Sequence, residues 1–305
     1  MQLSPRRWVE RLYERVLERE LSGVPEHVAV IQDGNRRYAR REGRERTEGH
    51  RAGAEITEQM LDWCAELGVR ELTLYAFSTE NFDRPAAEQA QLFDLIERKL
   101  REFATRTEVH DREVQISAIG ERERLPARVR EAIAFAEAET GDYDGLRLNV
   151  ALAYGGRAEL LGAARSITKA VEAGTLSPDT IGVETISDQL ADGPQRDVDL
   201  IIRTGGDERT SNFLPWHANG NEAAVVFCSP YWPEFRRLDL LRAIRTFQSR
   251  QASWRRSRAE RAYALIRTLG EVELTEARRV LDRFRGSIPG ERATEETEEP
   301  TQPAD

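Results

Sequence analysis

Two hydrophobic rhythms alternate along this chain: stripes at the helical period of about 3.6 residues, and short continuous apolar runs. Trp8, Leu12 and Val16, with Leu21 just beyond, repeat at helical spacing and predict an amphipathic helix over 5–20, which Gly23 and Pro25 end. Residues 27–32 (HVAVIQ) form a short apolar run that reads as a buried strand, followed by a polar, arginine-rich loop over 33–50. A helix is expected from about 51 to 67, closed by Gly68. The alternation then repeats. Strands are predicted at 71–78, 113–119, 146–153, 198–202 and 223–227, and helices at 86–107, 126–139, 157–173, 237–250, 252–269 and 275–285.

About six strands alternating with helices predict an α/β fold, a single domain with a mostly parallel sheet flanked by helices on both faces. The chain divides into an N-terminal helix (1–24), a main domain (25–250), C-terminal helices (251–288) and a tail (289–305). The tail is acidic, bears proline and lacks apolar periodicity, so it is expected to be disordered.

Composition narrows the classes. The net charge of −9 disfavours a general nucleic-acid binder. Only two of the 45 basic residues are lysines, Lys99 and Lys169, so basic chemistry must come from arginine, which grips phosphate with two parallel hydrogen bonds. An acidic surface with arginine in place of lysine suggests a GC-rich or salt-adapted source. Cys64 and Cys228 sit in apolar runs without a CxxC partner and read as buried free thiols. No stretch reaches the roughly 18 apolar residues of a membrane span, and the first twenty residues lack an apolar signal-peptide core. A cytoplasmic protein is expected. The basic run 250–261 could touch acidic lipid head groups or be a solvated or dimer-facing helix.

In open α/β sheets, ligands bind outside the carboxyl ends of the strands. Polar segments bearing Gly or Arg fall at four of those ends: Asp33-Gly34-Asn35-Arg36-Arg37, Ser78-Thr79-Glu80-Asn81-Phe82-Asp83-Arg84, Tyr154-Gly155-Gly156-Arg157, and Arg203 to Asn212. Asp33 is a hard oxygen donor suited to Mg²⁺, Gly34 allows close backbone approach, and Asn35 and Arg37 add donors. Taken alone, DGN is also a common Asx turn. Arg203, Arg209 and Ser211 around a Gly-Gly turn suit a second diphosphate, or a surface loop whose arginines pair with Asp207 and Glu208. Arg46 and His50 precede a predicted helix start, where anions are favoured. The P-loop, GxGxxG, GxSxG, HExxH and DDxxD patterns are absent.

Seven ordered blocks, HVAVIQDGNRRYARREG, EGHRAG, LTLYAFSTENFDRP, ISAIGERERLP, LNVALAYGGRAEL, IIRTGGDERTSNFLPW and YWPEF, resemble the cis-prenyltransferases, the undecaprenyl diphosphate synthase family, over about 25–250. The archaeal branch, some of whose members start from geranylgeranyl diphosphate, is the most similar. The resemblance implies a polyprenyl diphosphate synthase that condenses isopentenyl diphosphate with an allylic diphosphate, using Mg²⁺, as a homodimer; the hydrophobicity of such a product leads to an expectation of transient contact with the membrane surface. It implies that Asp33 holds Mg²⁺ beside the allylic diphosphate, with Gly34, Asn35, Arg36, Arg37, Tyr38, Arg46 and His50 around it. Ser78, Thr79, Glu80, Asn81, Phe82 and Arg84 lie between the substrates, with Asn81 assisting proton removal. Arg203, Arg209, Thr210 and Ser211 bind isopentenyl diphosphate, Glu222 reaches the metal, and Gly155-Gly156-Arg157 is a structural turn. Arg36 stands where the family has glycine, Phe82 where it has tryptophan, and Glu208 where many bacterial members have histidine. The stretch from Glu222 to Trp232 is about two residues longer than the common bacterial pattern. The alternatives are a non-catalytic relative that supports an active partner subunit, or an unrelated phosphotransferase using Asp33 as nucleophile. The second would want an aspartate at position 35, which is Asn.

Overall fold

The apolar runs become strands β1 (His27–Ile31), β2 (Glu71–Ser78), β3 (Val114–Ile119), β4 (Leu146–Tyr154), β5 (Leu200–Arg203) and β6 (Ala224–Phe227) of one sheet. Its order is β3-β4-β2-β1-β5-β6, and every pairing is parallel. This structure, a computed structural model, describes residues 5–190, 193–218, 223–253 and 256. Up to Arg250 the chain forms one compact unit. Most of the segment read as C-terminal helices, and all of the tail, lie outside the described residues, as does Glu222.

The helices are α1 (Pro5–Glu20), α2 (Asn35–Arg41), α3 (Arg46–Leu67), α4 (Ala86–Ala104), α5 (Thr107–Asp111), α6 (Ala127–Thr140), α7 (Gly156–Glu172), α8 (Val183–Gln189) and α9 (237–253). β1 is buried at all five positions, as expected of a strand covered on both sides. Val28, Val30, Leu72 and Leu74 belong to the larger core, with Met60, Phe93 and Leu100 from α3 and α4. Ala29 and Ile31 belong to a smaller one with Tyr154, Phe213 and Leu214.

Three expectations are corrected. The polar stretch 33–50 is not a loop: it holds α2 and the first turn of α3. α2 has one buried residue, Ala39, and so no apolar stripe that a periodicity could register. α3 begins at Arg46, not 51, because the Glu45 N–H donates to the Glu48 carboxylate (3.3 Å) and closes the helix end early. On α1, Leu17 packs with Leu238 and Leu241, as Leu21 does just beyond the helix end, whereas Leu12 and Val16 are 48% and 44% exposed, so within the helix the buried face is rotated from the one the spacing chose.

The chain moves from β1 to β2, β3 and β4 on one side, then crosses to β5 on the other. The crevice between the ends of β1 and β5 is therefore the topological switch point, where such sheets bind ligands.

Candidate active site

β1 and β5 are buckled together at that crevice. The Asp33 N–H donates to Thr204 Oγ1 (3.1 Å), and Thr204 Oγ1 donates to the Asp33 carbonyl (2.8 Å). The Trp232 N–H donates to the same carbonyl (3.0 Å). Gly34 then turns the chain at φ 102°, a conformation that favours glycine. It lies against the Tyr231 ring, which a Cβ would strike at 2.6 Å. The Asp33 carboxylate is thus fixed at the strand tip.

Arg203, at the end of β5, is the hub. Its side chain is only 3% exposed. Nη2 donates to Asp33 Oδ2 (2.6 Å), and Nη1 donates to Ser211 Oγ (2.5 Å) and the Arg209 carbonyl (2.6 Å). Arg37 Nη2 lies 3.2 Å from Asp33 Oδ1. Asp207 Oδ2 gathers Arg37 (3.5 Å), Arg203 (3.3 Å) and Arg209 (3.3 Å). Burial pushes the Asp33 carboxyl up, but the hydrogen bond and charge of Arg203, the charge of Arg37 and the Gly34 N–H outweigh it and hold the carboxyl below its usual range. Asp33 is ionised at neutral pH.

Two hollows share this wall. One, of about 340 Å³, runs from Asp33, Ser78, Glu80, Asn81, Arg84, Arg203, Arg209 and Ser211 into an apolar interior. Leu74, Ala76, Leu148 and Val150 of the sheet, Ala54 of α3, and Leu92, Ile96, Leu100 and Phe103 of α4 line that interior. Lys99 also lines it, its ammonium bonded to Glu58 of α3 (2.8 Å) and Glu102 (2.6 Å). The second hollow is polar, lined by Asp33, Gly34, Asn35, Arg36, Arg37, Arg40, Arg46, His50, Arg84, Asp207 and Arg209.

His50 stands between them, its Nε2 buried without a partner. Burial, then the charges of Arg84 and Arg36, pull its pKa down to about 4 against the opposing charge of Glu88, so the imidazole is neutral. Glu88, at the start of α4 and 9% exposed, faces Arg84 (2.9 Å), Arg46 (3.1 Å) and Arg36 (3.7 Å). Burial pushes its carboxyl up, but Arg84, Arg36 and Arg46 bring it below the ordinary range.

The structure therefore brings together Asp33, Gly34, Asn35, Arg36, Arg37, Arg46, His50, Ser78, Glu80, Asn81, Arg84, Arg203, Arg209 and Ser211. It leaves out four others. Tyr38 lies under Arg41, its ring centroid 5.6 Å from the guanidinium. Thr79 backs onto Gly155. Phe82 packs edge-on against Phe77, centroids 5.0 Å apart. Thr210 lines neither hollow. Sequence reasoning missed Glu88 and Lys99. A carboxylate in the first turn of a helix reads as a response to the helix dipole, and a helix-surface lysine as solvated.

Among the described residues no group of three or more metal-ligating side chains converges. Mg²⁺ typically takes one or two carboxylates and completes its shell with water and substrate phosphate oxygens. One ionised aspartate at the mouth of a basic hollow fits an ion that arrives with a diphosphate.

A family model described as putative undecaprenyl diphosphate synthase matches residues 31–255. The chain is 63% identical over 294 residues, covering 96% of each chain, to the tritrans,polycis-undecaprenyl-diphosphate synthase (geranylgeranyl-diphosphate specific) of Halobacterium salinarum. It is 63% identical over 277 residues, 91% of each chain, to the enzyme of the same name from Haloarcula marismortui. Among solved structures it is similar to lavandulyl diphosphate synthase from Lavandula x intermedia in complex with dimethylallyl diphosphate, with TM-score 0.69 and 33% identity over 73% of this chain and 95% of that one. With the anion hollows at the switch point of a parallel sheet, these similarities establish that the chain belongs to the undecaprenyl diphosphate synthase family of prenyltransferases.

Proposed function

We propose that this protein adds isopentenyl diphosphate repeatedly to an allylic diphosphate, geranylgeranyl diphosphate being the primer its archaeal relatives are named for, and releases a long-chain polyprenyl diphosphate. The observation that carries this reading is the Arg203–Asp33 contact of 2.6 Å. It joins Arg203 of one anion-binding set to the carboxylate beside the other, above one apolar cavity, so two diphosphates held there would place their prenyl ends together.

In this reading Asn35, Arg36, Arg37, Arg46 and His50 hold the allylic diphosphate, and Arg203, Arg209 and Ser211 hold isopentenyl diphosphate. Mg²⁺, held by Asp33 with phosphate oxygens, would supply charge neutralisation for the departing diphosphate. The positive charges of the surrounding arginines favour the same developing charge. His50, being neutral, donates a hydrogen bond and adds no charge. Asn81 uses its Oδ1 to accept the Ser78 N–H (3.1 Å). A carboxamide has no basic site at neutral pH, so Asn81 orients the proton's acceptor and does not serve as the base. The cavity takes the growing chain. A homodimer with Glu222 at the metal, and action in the cytoplasm at the membrane surface, belong to the same proposal. No helix among the described residues is long and apolar enough to cross a membrane.

The test is direct. Pure protein is incubated with Mg²⁺, labelled isopentenyl diphosphate and ten-, fifteen- or twenty-carbon primers, and the products are sized. Long products, most rapid from the twenty-carbon primer, are expected. No incorporation by the single purified chain would favour the non-catalytic reading.

A further inference from the structure

The loop after β5 reaches positive φ at three residues that are not glycine: Ser211 (49°), Asn212 (58°) and Leu214 (50°). Side chains rarely adopt this region unless the surroundings impose it. What imposes it here is the start of α7. The Asn212 carbonyl accepts the Gly156 N–H (2.9 Å), and Asn212 Oδ1 accepts the Arg157 N–H (2.9 Å). Both are first-turn amides that have no partner inside their own helix. One residue from a distant segment therefore caps the helix twice.

The two glycines serve that contact through size, since neither has positive φ. A Cβ on Gly155 would lie 2.7 Å from Thr79 Oγ1 and 3.2 Å from Asn212 Nδ2. A Cβ on Gly156 would run into the Pro215 ring. Asn212 is thus seated on bare backbone, with Thr79, neighbour of Ser78, on the other side. Downstream, Phe213 stacks on Tyr75 at 4.4 Å between centroids and is buried. Upstream lie Ser211, whose Oγ meets Arg203, and Arg209, whose carbonyl does.

We propose that Asn212 is a positioning residue for the second diphosphate: by docking on the α7 amides it sets where Ser211 and Arg209 stand relative to Asp33. This rests on the reading that Arg203, Arg209 and Ser211 hold isopentenyl diphosphate. Asparagine suits the place because it tolerates left-handed backbone and carries a side-chain acceptor.

The experiment compares KM for each substrate in Asn212→Ala, Asn212→Gly, Asn212→Asp, Gly156→Ala and Arg209→Ala. Asn212→Ala is expected to raise the KM for isopentenyl diphosphate about tenfold while the allylic KM stays within about twofold, a difference of about 1.4 kcal/mol acting at one site. Gly156→Ala, which pushes on the same contact from the other side, gives the same split. Asn212→Asp keeps the acceptor and restores the wild-type KM; Asn212→Gly keeps the backbone freedom alone and does not. If Arg209→Ala raises the isopentenyl KM but the Asn212 and Gly156 variants move neither KM, or both equally, the positioning role falls and the binding reading stands. If Arg209→Ala leaves that KM unchanged, the binding reading falls and takes this inference with it. Should Asn212→Ala fail to fold, equal isopentenyl KM values for the Asp and Gly variants overturn the inference.

Discussion

Replacing Asp33 tests the site and the fold together. Asp33→Ala removes the ionised carboxylate at the mouth of both hollows and strips Arg203 Nη2 of its 2.6 Å partner. Arg203 is 3% exposed, and removing one partner of a buried pair costs about 3–5 kcal/mol. Two features lower that figure. Asp33 is itself 30% exposed, and Asp207 Oδ2 lies 3.3 Å from the same nitrogen and can close on it. A loss of about 2–3 kcal/mol is therefore expected, which lowers Tm by about 4–6 °C in a chain of this size. Asp33→Asn keeps an oxygen for Arg203 and is expected to cost about 1–2 kcal/mol. Turnover should fall by at least about a thousandfold in both, since each removes the carboxylate that would hold the Mg²⁺ neutralising the departing diphosphate. The assays are chemical denaturation for stability and labelled isopentenyl incorporation under single-turnover conditions for chemistry. Near-wild-type incorporation by either variant would refute the role of Asp33. A stable, inactive Asp33→Ala would refute the claim that the Asp33–Arg203 pair also holds β1 to β5.

Glu88→Gln removes the charge facing three arginines; Arg36 and Arg46 are half exposed and contribute little, but the Arg84 bond is sheltered, so about 2 kcal/mol of stability should be lost and the allylic KM should rise more than the isopentenyl KM. Equal changes in the two KM values would refute that assignment. Burial lowers the His50 pKa from 6.5 to about 4, so the unfolded chain binds the extra proton first as pH falls: this contribution is complete above about 6.5 and is lost towards 4. It amounts to at most about 3 kcal/mol, so a plot of unfolding free energy against pH should be flatter over that window in His50→Gln, and an unchanged slope would count against a buried neutral imidazole. Ala54→Phe narrows the apolar cavity, and product sizing should show shorter chains with the first addition little affected; an unaltered length distribution would mean that the chain grows elsewhere.

Much of this site could be read from where apolar runs stop. Asp33 lies two residues past the end of β1, Ser78 and Arg203 are the last residues of β2 and β5, and parallel strands bring their carboxyl ends to one rim. Direction within a motif was harder to read. The turn over Thr79–Asp83 is a 3₁₀ helix, in which residues three apart share a face. Ser78 and Asn81 therefore line the cavity together, while Thr79 and Phe82 share another face and pack into protein. A motif carries both sets, and only the backbone separates them. α2 was hidden for a related reason: six of its seven residues are polar or half-exposed, so its helicity comes from the Gly34 turn and the contact with α3 and leaves no hydrophobic period. Glu88 has a local partner in Arg84, but it and Asn212 also reach Arg46 and Arg157, 42 and 55 positions away in sequence, and no local pattern announces such distant partners.

The charge distribution gives the arrangement a physical logic that composition alone obscures. The chain carries −9, yet the polar hollow is lined by six arginines against two aspartates. A negative exterior around a positive recess concentrates the attractive field at the recess, so a diphosphate is repelled everywhere except where its phosphates can be gripped. The two halves of that recess differ in what holds them. Arg36 and Arg46 are about half exposed and, among the described residues, pair only with Glu88, whereas Arg203 is enclosed, with four oxygens around its guanidinium. The exposed arginines can swing to follow a primer whose diphosphate must leave and be replaced at every cycle. The enclosed one cannot move, and repeated addition needs that fixed reference, because each new isopentenyl unit must be presented at the same distance from a chain that has grown since the last.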